Sequence, residues 1–214
     1  MSWGSFDFSE FEEMAERVHA LVESNAIEQF YHDCAKELAG RLLAVVIKRT
    51  PVGQKPVMVA TSNAAKNRIE KVRTKYGDKR AEKFSRRIQV GKKGSKVYEQ
   101  YQKYWSGYTG GTLRRGWTGG QAMDGAAYAK QMNVARSGDS YVIEVTNSVQ
   151  YASYVENGHR QKPGRYVPAL GKQLKAGWVN GQFMLKISTQ EIEQMTPGIL
   201  ERKIENFLKE HLQL

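Results

Sequence analysis

The sequence predicts an α+β fold: a small antiparallel β-sheet packed by a long helix from the N-terminal half and by C-terminal helices, with a basic insertion between them. Three observations carry this. Apolar residues recur at helical spacing towards both ends of the chain, an alternating run bounded by turn residues lies between, and one internal segment holds all the excess positive charge. A length of 214 residues suits one domain of ordinary size with an elaboration.

Ser9 followed by Glu12 is a capping-box pattern and opens a first helix with Phe8, Phe11, Ala15, Val18 and Val22 on one face. Asn25 with Glu28 repeats the signal. A longer helix then runs to about Arg49, and Ile27, Tyr31, Cys34, Leu38, Leu42, Val45 and Ile47 are expected on its buried side. Thr50-Pro51-Val52-Gly53 stops it, because proline disfavours a helical conformation in the residue before it. Residues 1–53 are therefore read as the N-terminal helices of the core.

Residues 54–108 read as a basic and aromatic arm. From Val52 to Arg115 there are seventeen Lys and Arg against four Asp and Glu, whereas the whole chain stands at +11, so the remainder is slightly acidic. Asn63–Lys75 and Asp78–Arg87 each have the composition of a short basic helix. Gly91–Lys96 is a basic turn, and Tyr98, Tyr101, Tyr104, Trp105 and Tyr108 cluster behind it. Two readings compete. Either the arm meets nucleic acid, with phosphates drawn by charge and bases stacked on the aromatics, or its lysines only keep a long insertion solvated while the aromatics dock it. The lack of a recognised nucleic-acid motif weighs towards the second.

Residues 109–214 complete the core. Leu113–Thr118 is a plausible strand. Ala129–Arg136 and Ser140–Thr146 flank Ser137-Gly138-Asp139 as a hairpin, with Tyr141, Ile143 and Val145 alternating against Val142, Glu144 and Thr146. Tyr151–Arg160 forms a corner in which Ala152–Asn157 makes a helical turn and Gly158 supplies the left-handed residue that ends it. Gln161–Gly177 reads as a basic loop containing Pro163 and Pro168. A helix over Gly181–Met195, a break at Thr196-Pro197-Gly198 and a last amphipathic helix over Ile199–Leu212 close the chain.

The charge suits an anionic partner, either nucleic acid or an acidic protein surface. The single cysteine, Cys34, excludes an intrachain disulfide, fits a chain made in a reducing cytoplasm and reads as a small core residue. The longest uninterrupted apolar run, Leu42–Ile47, is far short of the ~20 residues of a membrane span, and the acidic start is unlike a signal peptide. His19, His32, His159 and His211 are scattered, so no metal site, cofactor site or catalytic residue is expected. Glu156 and His159, three apart, have the spacing of an acid/base dyad, but a hydrogen-bonded pair fixing a loop is the commoner outcome. Enzyme is the weakest class.

Thr50-Pro51-Val52-Gly53, Thr109–Trp117 (T-G-G-T-L-R-R-G-W), Asn147–Arg160 (N-S-V-Q-Y-A-S-Y-V-E-N-G-H-R) and the closing F-M-L-K-I-S…P-G-I-L-E-R-K-I-E-N-F-L together resemble the gene-product-ten-like family of lambdoid phages, the tail-completion or head–tail joining proteins of the neck. Many members carry Pro-Val-Asp directly followed by Thr-Gly-x-Leu-Arg, then a hairpin, then Tyr-Ala-x-Tyr-Val-Glu-x-Gly. Here the two halves of the first motif are separated by the basic arm, and Gly53 stands in place of the aspartate. The resemblance covers roughly residues 26–52 and 110–212.

It implies a virion structural protein made in the host cytoplasm. Six copies, or a multiple, would form a ring joining the tail terminator to the head connector, with DNA passing the lumen and touched without sequence preference, and with no membrane. On that reading Arg114, Arg115 and Trp117, the corner residues Tyr151, Tyr154, Glu156, Gly158 and His159, and the arm cations Lys79, Arg80, Lys83 and Arg87 are candidate interface residues. The aromatic end of the arm is expected to dock against protein, with the arm's lysines around an acidic partner surface. The alternative is a nucleic-acid-binding protein using residues 54–108.

Overall fold

The computed structural model describes residues 9–167 and 172–212. Phe8 and Pro168 lie outside them, as do the side chains of Ser9 and Phe11. In chain order the elements are α1 (Ser9–Glu23), α2 (Ala26–Arg49), β1 (Val57–Val59), α3 (Ser62–Tyr76), α4 (Asp78–Ser85), β2 (Ile88–Val90), α5 (Lys96–Trp105), α6 (Thr112–Gly116) and α7 (Gly125–Gln131). Then follow β3 (Ala135–Ser137), β4 (Ser140–Val142), α8 (Ala152–Asn157), β5 (Gly158–Arg160), β6 (Tyr166–Val167), β7 (Lys172–Gln173), β8 (Trp178–Asn180) and α9 (Met184–Leu212). The fold is α+β. Its strands form four separate two-stranded ladders rather than the single small sheet expected.

The chain packs as two units. The first holds Met1–Thr50, Thr112–Ala152 and Phe183–Leu214. Its axis is α2, which packs against α7 and α9. Gly40 and Gly125 set how closely α7 approaches: a Cβ added at Gly40 would lie 3.2 Å from Ala126 Cα, and one at Gly125 would lie 2.6 Å from Leu43 Cβ. The fully buried residues of α2 are consequently Cys34, Ala39, Gly40, Leu43 and Val46. Of the expected set only Cys34 is fully buried, most of the others are half-buried, and Tyr31 is exposed and stacked on Tyr141 at 5.1 Å. The expectation counted large apolar residues and overlooked the small ones that let a neighbouring helix come close.

At the other end, α9 runs unbroken through Pro197, against the expected break. Ile192 and Ile199 flank the proline and are both buried, so packing on either side holds one axis. Thr196 Oγ1 donates to Ile192 O at 2.8 Å within that stretch. Arg49 bonds Ser188 Oγ at 3.1 Å and Glu191 at 2.6 Å, and Lys203 Nζ reaches Glu37 at 2.8 Å, tying α9 to α2 at two levels.

Leu113–Thr118, expected as a strand, instead holds α6 and a turn. The Trp117 and Thr118 amides bond back to the carbonyls of Arg114 and Arg115. The hairpin is present but shorter than expected, Ala135–Ser137 against Ser140–Val142, and Ala129–Gln131 belong to α7. Half-buried and exposed residues nevertheless alternate from Tyr141 to Val149, beyond the end of the ladder.

The second unit comprises Pro51–Gly111 and Ser153–Gln182. In its first segment β1 and β2 pair in parallel and are joined by α3 and α4, the two basic helices the sequence predicts. Thr61 caps α3 by accepting from the Ala64 amide, and Ser95 caps α5 in the same way from Tyr98. Val59, Ala65, Ala81 and Gln89 are buried between these elements. The aromatic cluster partly serves the arm itself: Tyr101 Oη donates to Pro56 O at 2.8 Å, and Trp105 meets Tyr108 edge-on at 4.9 Å. In the second segment β5 pairs with β8 and β6 with β7, both antiparallel; β6 and β7 lie inside the stretch 161–177 that the sequence presents as a loop, and β5 and β8 flank it.

Candidate functional site

Three places gather the residues singled out by the sequence. The first is the C-terminal end of α2. Arg114 Nε donates to Thr50 O at 2.8 Å and Arg114 Nη2 to Lys48 O at 3.3 Å, so a guanidinium satisfies carbonyls that a helix end leaves open. Trp117 Nε1 donates to Thr50 Oγ1 at 2.8 Å, and that hydroxyl donates in turn to Val46 O at 2.6 Å. Thr50 is fully buried and Trp117 is 3 % exposed.

Asn147 closes this knot: its Nδ2 donates to Leu113 O at 2.9 Å, its Oδ1 accepts from the Val149 amide, and the Ser148 amide bonds Gly116 O at 3.2 Å. The stretches 50–53, 112–117 and the start of 147–160 are far apart in sequence, and side chains from all three meet here. Thr50 and Asn147 open two of the motif stretches, but neither was among the candidate site residues of the sequence reading. Arg114 and Trp117 are committed to folding contacts, and Arg115 is half-buried beside them.

The second place is the corner after Val149. Tyr151 is 46 % and Tyr154 60 % exposed, whereas Val155, Glu156 and His159 are half-buried. Gly158 ends α8 at φ 84° and starts β5. A Cβ there would run into Val179 O and come 2.8 Å from Gly181 N, so the position demands glycine twice over. The His159 ring lies 5.8 Å from the Tyr154 ring, and its Nδ1 is buried with no hydrogen-bond partner among the described residues.

The third place is on the arm. Lys79, Arg80, Lys83 and Arg87 recur along one side of α4 and its continuation, and all four line one open depression of about 780 Å³. Its apolar wall is Val72, Tyr76 and Phe84. The Arg80 guanidinium sits 5.5 Å from the Tyr76 ring centre and that of Arg87 5.9 Å from Phe84. The carboxylates nearby are used elsewhere: Glu70 and Asp78 pair with Arg73, and Glu82 pairs with Arg86. No ion pair among the described residues involves the four lining cations. Tyr76 and Phe84 as groove walls were missed by the sequence reading, which had looked for aromatics only at Tyr98–Tyr108.

Electrostatics elsewhere are modest. Hydrogen bonds from Lys203 and then Arg41 hold the Glu37 carboxyl below the usual range, and burial pushes the Cys34 thiol up. No group of three or more His, Cys, Asp or Glu among the described residues is placed to hold a metal ion, and no helix is long and apolar enough to cross a membrane.

One family model matches the chain, HK97-gp10_like, described as "Bacteriophage HK97-gp10, putative tail-component", over residues 12–158. That stretch takes in α1 from Glu12 onwards, the arm, the knot and the corner as far as Gly158. No curated protein and no solved structure matches.

Proposed function

The chain belongs to the HK97-gp10-like family of bacteriophage tail components, and from that premise we propose that it is the neck subunit that completes the tail. Six copies, or a multiple, form a ring between the tail terminator and the head connector. As a tail component it is a structural protein of the virion and works among other phage structural proteins. It acts by binding and not by turnover, and it is made in the host cytoplasm before assembly. The family match across both motif stretches carries this reading.

The geometry supports it in a particular way. Thr50, Arg114 and Trp117 hold the fold together, while Tyr151, Tyr154 and the groove cations Lys79, Arg80 and Lys83 face solvent as docking surfaces. A heterologous ring needs two different patches on each subunit. The test is a particle preparation lacking the gene. Filled heads and tails should accumulate unjoined and should join on addition of the purified protein. Joined particles without it, or antibody labelling at the far tip of the tail, overturn the neck role.

A second reading, sequence-independent nucleic-acid binding by residues 54–108, has one observation in its favour: among the described residues the four cations of the groove have no carboxylate partners. It requires binding of random duplex DNA that weakens steeply with salt.

A further inference from the structure

We propose that the groove lined by Lys79, Arg80, Lys83 and Arg87 receives helix α1 of a second copy of this chain. The proposal rests on the homo-oligomeric part of the reading above and names the contact that builds the ring.

The groove asks for an occupant that is acidic on one side and apolar on the other. Its cations stand around a wall of Val72, Tyr76 and Phe84. Helix α1 has that composition and leaves it uncovered. Met14, Val18 and Val22, four residues apart, are 40 %, 40 % and 67 % exposed and form one stripe. Glu12, Glu16 and Glu23 fall on the opposite side of the helix from that stripe and are exposed as well. Glu12 and Glu16 enter no ion pair among the described residues, while Glu13 pairs with Arg17 and Glu23 with His19. Only Arg17 and Leu21 of the described α1 side chains are half-buried, Arg17 through its bond to Leu212 O at 3.1 Å.

The α1 stripe belongs to the first unit and the groove to the second, and both the stripe and the groove cations Lys79, Arg80 and Lys83 are open to solvent. Because groove and helix are different surfaces, the contact is head-to-tail and repeats around a ring. Duplex DNA would satisfy the cations but would leave the Val72–Tyr76–Phe84 wall and the α1 stripe without partners.

The test uses the full chain and its mass in solution by analytical ultracentrifugation at physiological salt. K79E/R80E/K83E reverses the groove and E12K/E16K/E23K reverses the helix. All six positions are exposed, so each variant should unfold at the wild-type temperature. Each variant alone should associate on the order of a hundredfold more weakly than wild type. An equimolar mixture should reassemble with the two variants alternating, and a chain carrying both sets should assemble by itself.

The proposal is overturned if the groove variant still assembles, or if the variants fall apart singly and mixing does not restore them. Unchanged assembly with loss of duplex DNA binding assigns the groove to nucleic acid. A wild-type chain that stays monomeric overturns the ring reading together with this contact, whereas a wild-type ring indifferent to the substitutions overturns this contact alone.

Discussion

The indole nitrogen of Trp117 donates to the hydroxyl of Thr50 at 2.8 Å, bridging 67 residues of sequence with both side chains buried. The Thr50 hydroxyl is used twice, since it also donates to Val46 O, and the Thr50 carbonyl accepts from Arg114. One residue at the end of α2 thus fixes the residue pair that opens the second half of the first unit.

Removing either partner should be costly, and removing both should be less than additive. Trp117→Phe deletes the donor, and Thr50→Val leaves a buried indole N–H without an acceptor. Each should cost about 1–3 kcal/mol in urea unfolding. The double variant should fall short of the sum by more than about 0.5 kcal/mol. Strict additivity would show that the bond contributes nothing to the fold.

Much of this knot is visible in the sequence only as words without grammar. Thr50-Pro51, Leu113-Arg114 and Asn147-Ser148 each stand out locally, yet nothing in their spacing says that Arg114 caps α2 or that Asn147 bonds Leu113 O. The basic helices, the hairpin and the Gly158 turn were legible because each has a local signal: a basic composition, alternation, or a glycine after a helical turn. The strands β5 and β8 were not, since Gly-His-Arg and Trp-Val-Asn are too short for a period to register. The groove was half legible. Its four cations share a helical side in the sequence, but its aromatic wall comes partly from another helix.

Gly158 offers a second prediction. Its φ of 84° and the closeness of Val179 O leave no room for a side chain. Gly158→Ala should destabilise the β5–β8 pair by about 1–3 kcal/mol. Amide exchange should speed up at Gly181 and Gln182 while α2 keeps its protection. Unchanged exchange would mean that the corner is not held by this approach.

A pH effect follows from Glu37. Lys203 and Arg41 lower its folded pKa relative to the unfolded chain. Its contribution is therefore fully present above the ordinary glutamate range and is lost as pH falls through the depressed folded value. Thermal midpoints measured downwards from pH 6 should drop more steeply for the wild-type chain than for Glu37→Gln. Parallel curves would remove the Lys203–Glu37 pair from the stability of the α2–α9 contact.

The arm gives the last prediction, because its two ends lie side by side. A Cβ on Gly110 would sit 3.2 Å from Gly53 O and 3.2 Å from Val52 Cγ1, so the chain leaves the arm where it entered. Between those points the arm has its own parallel strand pair, its own helix caps and its own aromatic contacts. A segment that closes on itself in this way is removable at small entropic cost, since a short linker spans the gap. Replacing Gln54–Tyr108 by a few Gly and Ser residues should therefore leave a shortened chain that unfolds cooperatively, with Trp117 fluorescence still reporting a buried indole. The knot supplies the reason: Thr50, Arg114, Trp117 and Asn147 all lie outside the deleted stretch. The same deletion should abolish self-assembly, because it removes the groove. A shortened chain that is molten would place the arm's aromatics in the core, and one that still forms rings would take the groove out of the assembly contact.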